Sequence, residues 1–242
     1  MPENVPDRDR DARRNWAEAV QRGEPTGWFE PLYAAARRGD AVVPWDREVP
    51  NPLLVEWLAN HPLEAAGQRA IVIGCGYGND AELIAARGFE TTAFDVSATA
   101  VELARQRYPD SEVDYRQADL LSLPEEWRQQ FDLVIECITV QALPPDLHET
   151  AAAAVASLCG VGGLIVVISG ARVGDQVPDG PPWPLTGDEL GYFAVDGVER
   201  AVVETIPVKE AGPPGDSRIR WRAEFRRPDP VHDKDRTDTH WL

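Results

Sequence analysis

Residues 70–97 read AIVIGCGYGNDAELIAARGFETTAFDVS, and the change of pattern along this stretch decides the fold. The apolar run Ile71–Ile73 predicts a buried strand, and the cluster Gly74-Cys75-Gly76-Tyr77-Gly78 predicts a tight turn at its end. Ala81–Arg87 follows with helical spacing and is closed by Gly88, a residue suited to a left-handed cap. Thr91–Asp95 predicts a second strand that ends on a carboxylate. Strand, glycine turn, helix and strand form the opening unit of a nucleotide-type binding domain, because bare glycine backbone lets a ligand lie against the chain.

Downstream, the alternation continues. Ser97 caps a helix through Tyr108, and strands are predicted over Val113–Arg116, Leu133–Glu136 and Leu164–Ser169. Asp146 and Glu149 have the spacing of a capping box for an Ala-rich helix ending at Gly160. A Gly/Pro segment over 170–186 exceeds the usual connection length and reads as a lid or binding loop containing Arg172 and Trp183. After a short helix at Thr186–Phe193, Val198–Ile206 and Arg218–Arg226 read as two strands without a helix between them, hence antiparallel. Strands alternating with helices and then a closing β-pair predict an α/β fold: a mostly parallel seven-stranded sheet with one antiparallel strand and helices on both faces. Upstream, helices are predicted at Asp11–Gly23, Leu32–Arg38 and Leu53–Asn60, an N-terminal helical and aromatic cover. One domain is expected, with 1–68 as cover, 69–227 as core and 228–242 as a polar tail.

Bulk properties bound the function. The 242 residues carry a net charge of -17, which argues against nucleic acid as the main partner, since phosphate recognition needs a basic face. No apolar run approaches the ~20 residues of a membrane span, and the N-terminus lacks the apolar centre of a signal peptide, so a cytoplasmic protein without a membrane partner is expected. Cys75, Cys137 and Cys159 are scattered, with no CxxC pattern and no paired histidine; they read as reduced thiols and not as a metal site.

The candidate site follows from the strand ends. Gly74, Cys75, Gly76 and Gly78 have GxGxG spacing, with Asn79 where a dinucleotide fingerprint has its third glycine. Asp95 can accept both hydroxyls of an adenosine ribose beside Val96, or merely shape the turn before Ser97. Asp119 can accept the exocyclic amine of adenine while Leu120 lies on the ring; an ordinary turn is the alternative. Glu136 ends the fourth strand, where open α/β sheets bind ligands, and either faces the cationic end of a cofactor or substrate or is a buried acid paired with an arginine. No residue stands in a recognisable catalytic motif. His148, near the expected substrate mouth, is the best base candidate beside Glu136, against an exposed residue in the first turn of a helix. Tyr77 and Gln141 are placed to touch substrate, and Cys75 reads as a small apolar group between glycines.

In order and spacing, IGCGYGNDAELIAARG, TTAFDVSATAVELA, QADLLSLP and FDLVIE resemble the class I S-adenosylmethionine-dependent methyltransferases over roughly residues 69–170. Val43-Pro44-Trp45-Asp46 and Pro50-Asn51-Pro52-Leu53-Leu54 are similar to the thiopurine and thiol/halide methyltransferase branch. There an N-terminal aromatic segment folds over the cofactor. The resemblance implies a Rossmann-like fold, S-adenosyl-L-methionine as cofactor with S-adenosyl-L-homocysteine as product, and Trp45 as a cover for it. Trp16 and Trp28 are read as packing. A small-molecule acceptor is implied, and the absence of an Asn/Asp-Pro-Pro-Tyr run after Glu136 agrees with the acidic charge in disfavouring a nucleic-acid target. In-line methyl transfer chiefly needs alignment and exclusion of water, and a thiol, with a pKa of ~8.5, is partly ionised without a base, so a soft nucleophile is favoured. The alternatives are an NAD-dependent oxidoreductase and a module that binds S-adenosylmethionine without transferring methyl. The sequence leaves the oligomeric state open.

Overall fold

A computed structural model describes residues 10–63, 65–174, 177–208 and 218–230. The charged stretch 1–9, His232, His240 and the expected tail from 231 onward lie outside the described residues. Seven strands form one sheet: β1 (Arg69–Ile73), β2 (Glu90–Asp95), β3 (Asp114–Gln117), β4 (Phe131–Cys137), β5 (Cys159–Gly170), β6 (Glu199–Pro207) and β7 (Ile219–Arg226). The order is β3-β2-β1-β4-β5-β7-β6. β1 to β5 pair in parallel, and β7 runs antiparallel to both β5 and β6. The chain leaves β1 for β2 on one side and returns to β4 on the other. This makes a crevice at the carboxyl ends of β1 and β4, where such sheets bind ligands.

Helices α1 (Arg10–Arg22), α2 (Phe29–Arg37) and α3 (Pro52–Asn60) precede the sheet; α4 (Asn79–Ala85), α5 (Ala98–Arg107) and α6 (His148–Leu158) cross between strands. One face of the sheet buries Leu54, Trp57 and Leu58 of α3, Ala81 and Ile84 of α4, and Val101 and Ala104 of α5. The opposite face packs against Ala151, Ala152 and Val155 of α6, with Phe193 and Phe225. The continuous apolar runs of β4 and β5 reflect this double coverage. A third cluster of Trp28, Leu32, Tyr33 and Val43 meets Ala100 of α5, seating the N-terminal helices above the strand ends.

Three local expectations change. The Asp146–Glu149 capping box does not form: Pro144 and Pro145 lead into a 3-10 turn over Pro145–Leu147, so α6 begins at His148 with no side-chain cap. β5 starts at Cys159, five residues early; here a Cβ on Gly163 would come within 2.9 Å of the Phe131 carbonyl and one on Gly160 within 3.1 Å of the Gln129 carbonyl. The helix expected at 186–193 is a 3-10 turn over Glu189–Phe193.

Candidate functional site

The register aligns the strand ends that build the site. Ile73 lies opposite Phe94 of β2 and Glu136 of β4, and Asp95 lies opposite Gln117 of β3. Beyond β1 the chain turns through three left-handed glycines, Gly74 (φ 59°), Gly76 (φ 51°) and Gly78 (φ 89°). Each is left bare for a reason. A Cβ on Gly74 would strike Thr139, one on Gly76 would come within 3.0 Å of the Tyr33 hydroxyl, and one on Gly78 would strike the Tyr115 hydroxyl. The turn thus fits between the loop after β4, the N-terminal cover and β3.

A cavity of about 710 Å³ opens over these strand ends. Of the residues singled out in the sequence, Trp45, Gly74, Cys75, Gly76, Asp95, Val96, Asp119 and Leu120 line it, as do Tyr77 and Gln141. Asp95 is buried, and its two oxygens accept from Gly76 N (3.0 Å) and Ser97 N (2.9 Å). The Val96 amide also favours the charged carboxylate, and since a carboxylate accepts about four hydrogen bonds, capacity remains for a ligand. Burial pushes its pKa up to about 6, against the pull of the Ser97 and Gly76 amides. Asp119 is half-buried and accepts from Leu121 N (2.9 Å).

The cover closes from above. Trp45 Nε1 donates to the Tyr33 hydroxyl (2.7 Å), and burial, with Asp95 nearby, drives the Tyr33 pKa well above its usual value. Glu30 of α2 anchors the cover to the core: its carboxylate accepts from Ser97 Oγ (2.6 Å), Thr99 N (3.0 Å) and Thr99 Oγ1 at the start of α5. Pro181 and Pro182 of the long loop line the cavity, while Trp183 packs edge-on against Trp16 of α1 (4.9 Å). Ile206, Pro207, Val208 and Arg220 bring the β6–β7 hairpin to the far rim. Glu30, Tyr33 and the hairpin were missed in the sequence. The Ser/Thr-rich start of α5 signals a cap, yet nothing local names its partner 67 residues away.

Several expectations are corrected. Gly78 does not line the cavity; it is the left-handed residue before α4, pressed against Tyr115. Glu136 is fully buried and absent from the lining. It pairs with no arginine either: Oε1 accepts from Thr139 N (2.7 Å) and Val140 N (2.9 Å), while Oε2 has no partner. Burial pushes its pKa up to about 7. His148 is neither an exposed residue nor a cavity base. It is fully buried, with Nδ1 3.0 Å from Glu189 Oε1 and Nε2 2.9 Å from the Leu143 carbonyl. Burial raises the Glu189 pKa, but hydrogen bonds from His148 and Thr186 outweigh it and hold the group at about 2. Arg172 joins this cluster through Glu189 (3.0 Å) instead of lining the cavity. Burial, with Asp95 next in weight, raises the Cys75 thiol well above its usual pKa, which disfavours the thiolate. Trp28 is fully buried in the third core cluster while bordering the cavity.

Among the described residues no histidine lines the cavity, no His/Cys/Asp/Glu cluster could hold a metal, and no helix is long and apolar enough to cross a membrane. The three cysteines are buried and unbridged.

Comparison with known proteins agrees with this geometry. Residues 70–163 match the family model described as a methyltransferase domain. The ubiquinone biosynthesis O-methyltransferase of Stutzerimonas stutzeri is 36% identical over 111 residues, 42% of this chain and 47% of the relative. The chain therefore spans about half the length of the curated relatives it matches. Among solved structures, one described as "Conversion of a Disulfide Bond into a Thioacetal Group during Echinomycin Biosynthesis" superposes with a TM-score of 0.66 at 22% identity, covering 86% of this chain and 96% of the other. The N-methyltransferase NodS from Bradyrhizobium japonicum, in complex with S-adenosyl-L-homocysteine, superposes at 0.61 and 19% identity, covering 83% and 100%. These likenesses show a shared Rossmann-like methyltransferase fold.

Proposed function

We propose that this chain, which carries a class I methyltransferase domain, is an S-adenosylmethionine-dependent methyltransferase acting on a small molecule. The observation that carries the reading is the Asp95 carboxylate, which lines the cavity beside the bare Gly76 amide with acceptor positions to spare. That arrangement suits the paired hydroxyls of an adenosine ribose. Asp119 and Leu120 offer the adjoining adenine an acceptor and an apolar face, and Gly74, Cys75 and Val96 supply backbone around it. Trp45, held by Tyr33, covers the cofactor, with residues 1–68 acting as cover to a 69–227 core of one domain.

Bound there, S-adenosyl-L-methionine supplies a methyl carbon activated by a cationic sulfur. The protein's part is orientation and dryness. The glycine turn and Asp95 fix the adenosine end, while Trp45, Tyr33 and Pro181–Pro182 wall the cavity from water. No histidine is at hand to remove a proton from the acceptor among the described lining residues. Carboxylates of Asp46, Glu56 and Asp80 do line it, so the preference for a nucleophile that ionises unaided, a thiol or another soft group, rests on the likeness of Pro44-Trp45-Asp46 to the thiopurine and thiol/halide branch. The names of the matched relatives favour a second reading, a hydroxyl acceptor. The net charge of -17 and the apolar enclosure support a small-molecule partner over nucleic acid, and the buried, unbridged cysteines support a cytoplasmic setting.

Transfer of labelled methyl from S-adenosylmethionine to a panel of thiols, phenols and amines tests the reading. Turnover of thiols ahead of phenols is expected. Adenosyl-ligand binding with no turnover on any class would instead indicate a binding module.

A further inference from the structure

Four non-glycine residues among those described have positive φ: Glu48, Gln129, Ile138 and Asp196. Ile138, at φ 57°, is the only β-branched one, and a left-handed backbone is least tolerable for that side-chain shape. It follows directly on β4 and lines the cavity, yet its side chain belongs to none of the three core clusters. Packing therefore does not explain the strain. Hydrogen bonds do. The next two amides, Thr139 N and Val140 N, are both tied to one oxygen of the buried Glu136 carboxylate, and Ile138 N donates to the Ile168 carbonyl of β5 (2.8 Å). Thr139 Oγ1 donates back to the Ile73 carbonyl (3.1 Å), and the Thr139 side chain occupies the space that a Cβ on Gly74 would need. The turn after β4 and the glycine turn after β1 are thus interlocked, and Glu136 holds the lock from beneath without reaching the cavity.

We propose that Glu136 is a positioning residue: its carboxylate clamps the 138–140 turn, forces Ile138 to form the apolar cavity wall at the ends of β4 and β5, and through Thr139 holds the glycine turn in its ligand-binding shape. The ligand-binding part of this rests on the methyltransferase reading; the strain part does not. Strained, over-determined backbone beside a ligand cavity is a known form of preorganisation.

Four variants test it: Glu136→Gln, which keeps the accepting oxygen; Glu136→Met, which removes it at similar volume; and Ile138→Gly and Ile138→Ala. In isothermal titration with S-adenosyl-L-homocysteine, Glu136→Gln is expected to bind like the wild type. Glu136→Met is expected to lose about tenfold or more, the equivalent of one good interaction. Adding Ile138→Gly to Glu136→Met is expected to recover the lost stability in denaturant unfolding, since glycine takes the left-handed turn without help. Should Glu136→Met alone not fold, folding of the double variant is the same rescue, and its failure overturns the proposal. Equal losses for Glu136→Gln and Glu136→Met would overturn it too, since they would mean that the charge itself is what matters. Denaturant unfolding reads the strain without a ligand. Ile138→Gly is expected to have a higher midpoint than Ile138→Ala with Glu136 intact, and the reverse order refutes the strain. A wild type that ignores S-adenosyl-L-homocysteine sinks the methyltransferase reading, while the unfolding comparison still decides the strain.

Discussion

Asp95 makes ligand affinity depend on pH in a way that can be worked out beforehand. In the ligand-free protein burial raises its pKa from 3.8 to about 6, so between pH 6 and 4 the folded chain holds a proton there that the unfolded chain does not. Ribose hydroxyls donate to the carboxylate, so the charged form is the one that binds. At pH 7 about nine-tenths of the protein is ready. At pH 5 about one-tenth is, and the apparent affinity for S-adenosyl-L-homocysteine should fall roughly tenfold between the two, or ~1.4 kcal/mol. Asp95→Asn removes the titration. It also loses the charge-assisted bonds, each worth about 1.5–3 kcal/mol, so at pH 7 it should bind at least tenfold more weakly and show little slope from pH 7 to 5. Isothermal titration at pH 5, 6 and 7 on both proteins is the assay. A wild-type affinity unchanged across that range, or an Asp95→Asn affinity equal to wild type, would falsify the ribose role. The same proton has the opposite effect on the fold: because the folded pKa is the higher one, the contribution of Asp95 to ligand-free stability is full below pH 3.8 and is lost as pH rises through about 6.

Other perturbations separate structural from ligand roles. Glu136 also has a folded pKa above its unfolded value, about 7 against 4.5, so its contribution is full below pH 4.5 and lost as pH rises through 7. Glu136→Gln should therefore gain on the wild type between pH 5 and pH 8, by at most roughly 3 kcal/mol, in urea unfolding at the two pH values; no gain would mean that the charge is already compensated. His148→Ala removes the partner of Glu189 Oε1 and of the Leu143 carbonyl and should lower stability by about 2–4 kcal/mol in the same assay. A loss under about 0.5 kcal/mol would contradict a structural role for these two His148 hydrogen bonds. Tyr33→Phe strands the Trp45 indole N–H and should cost about 1–3 kcal/mol of stability or an equivalent loss of ligand affinity; an unchanged protein would show that the cover is not held by this bond.

The parts of this molecule written locally in the sequence were legible. The switch from apolar run to GxGxG to helix set β1, its turn and α4, and the same logic put Asp95, Asp119 and Leu120 at strand ends that the register brings together. Missing a helix between 198 and 226 was enough to foresee the reversed strand β7. What failed were inferences about burial. Glu136 and His148 stand where ligand-facing groups often stand, but whether a polar group faces a cavity or the core depends on partners far along the chain. For His148 the partner is Glu189, 41 residues on. Glu136 needed only the two amides beyond it, a bond pattern invisible until the turn at Ile138 is seen. Gly78 looked like part of the ligand loop because spacing cannot distinguish a glycine cleared for a ligand from one cleared for Tyr115. The N-terminal helices were legible, yet their anchor, Glu30 on the start of α5, is a tertiary contact without a local signature.

The central claim is that the cavity holds an adenosyl sulfonium cofactor and not a dinucleotide. The most direct measurement is equilibrium unfolding of the full chain with S-adenosyl-L-methionine, S-adenosyl-L-homocysteine or NAD, each compared with the ligand-free protein. An adenosyl ligand at about 100 times its Kd should add ~2.7 kcal/mol, while NAD at the same concentration should add nothing. Stabilisation by NAD with none from either adenosyl ligand would contradict the account.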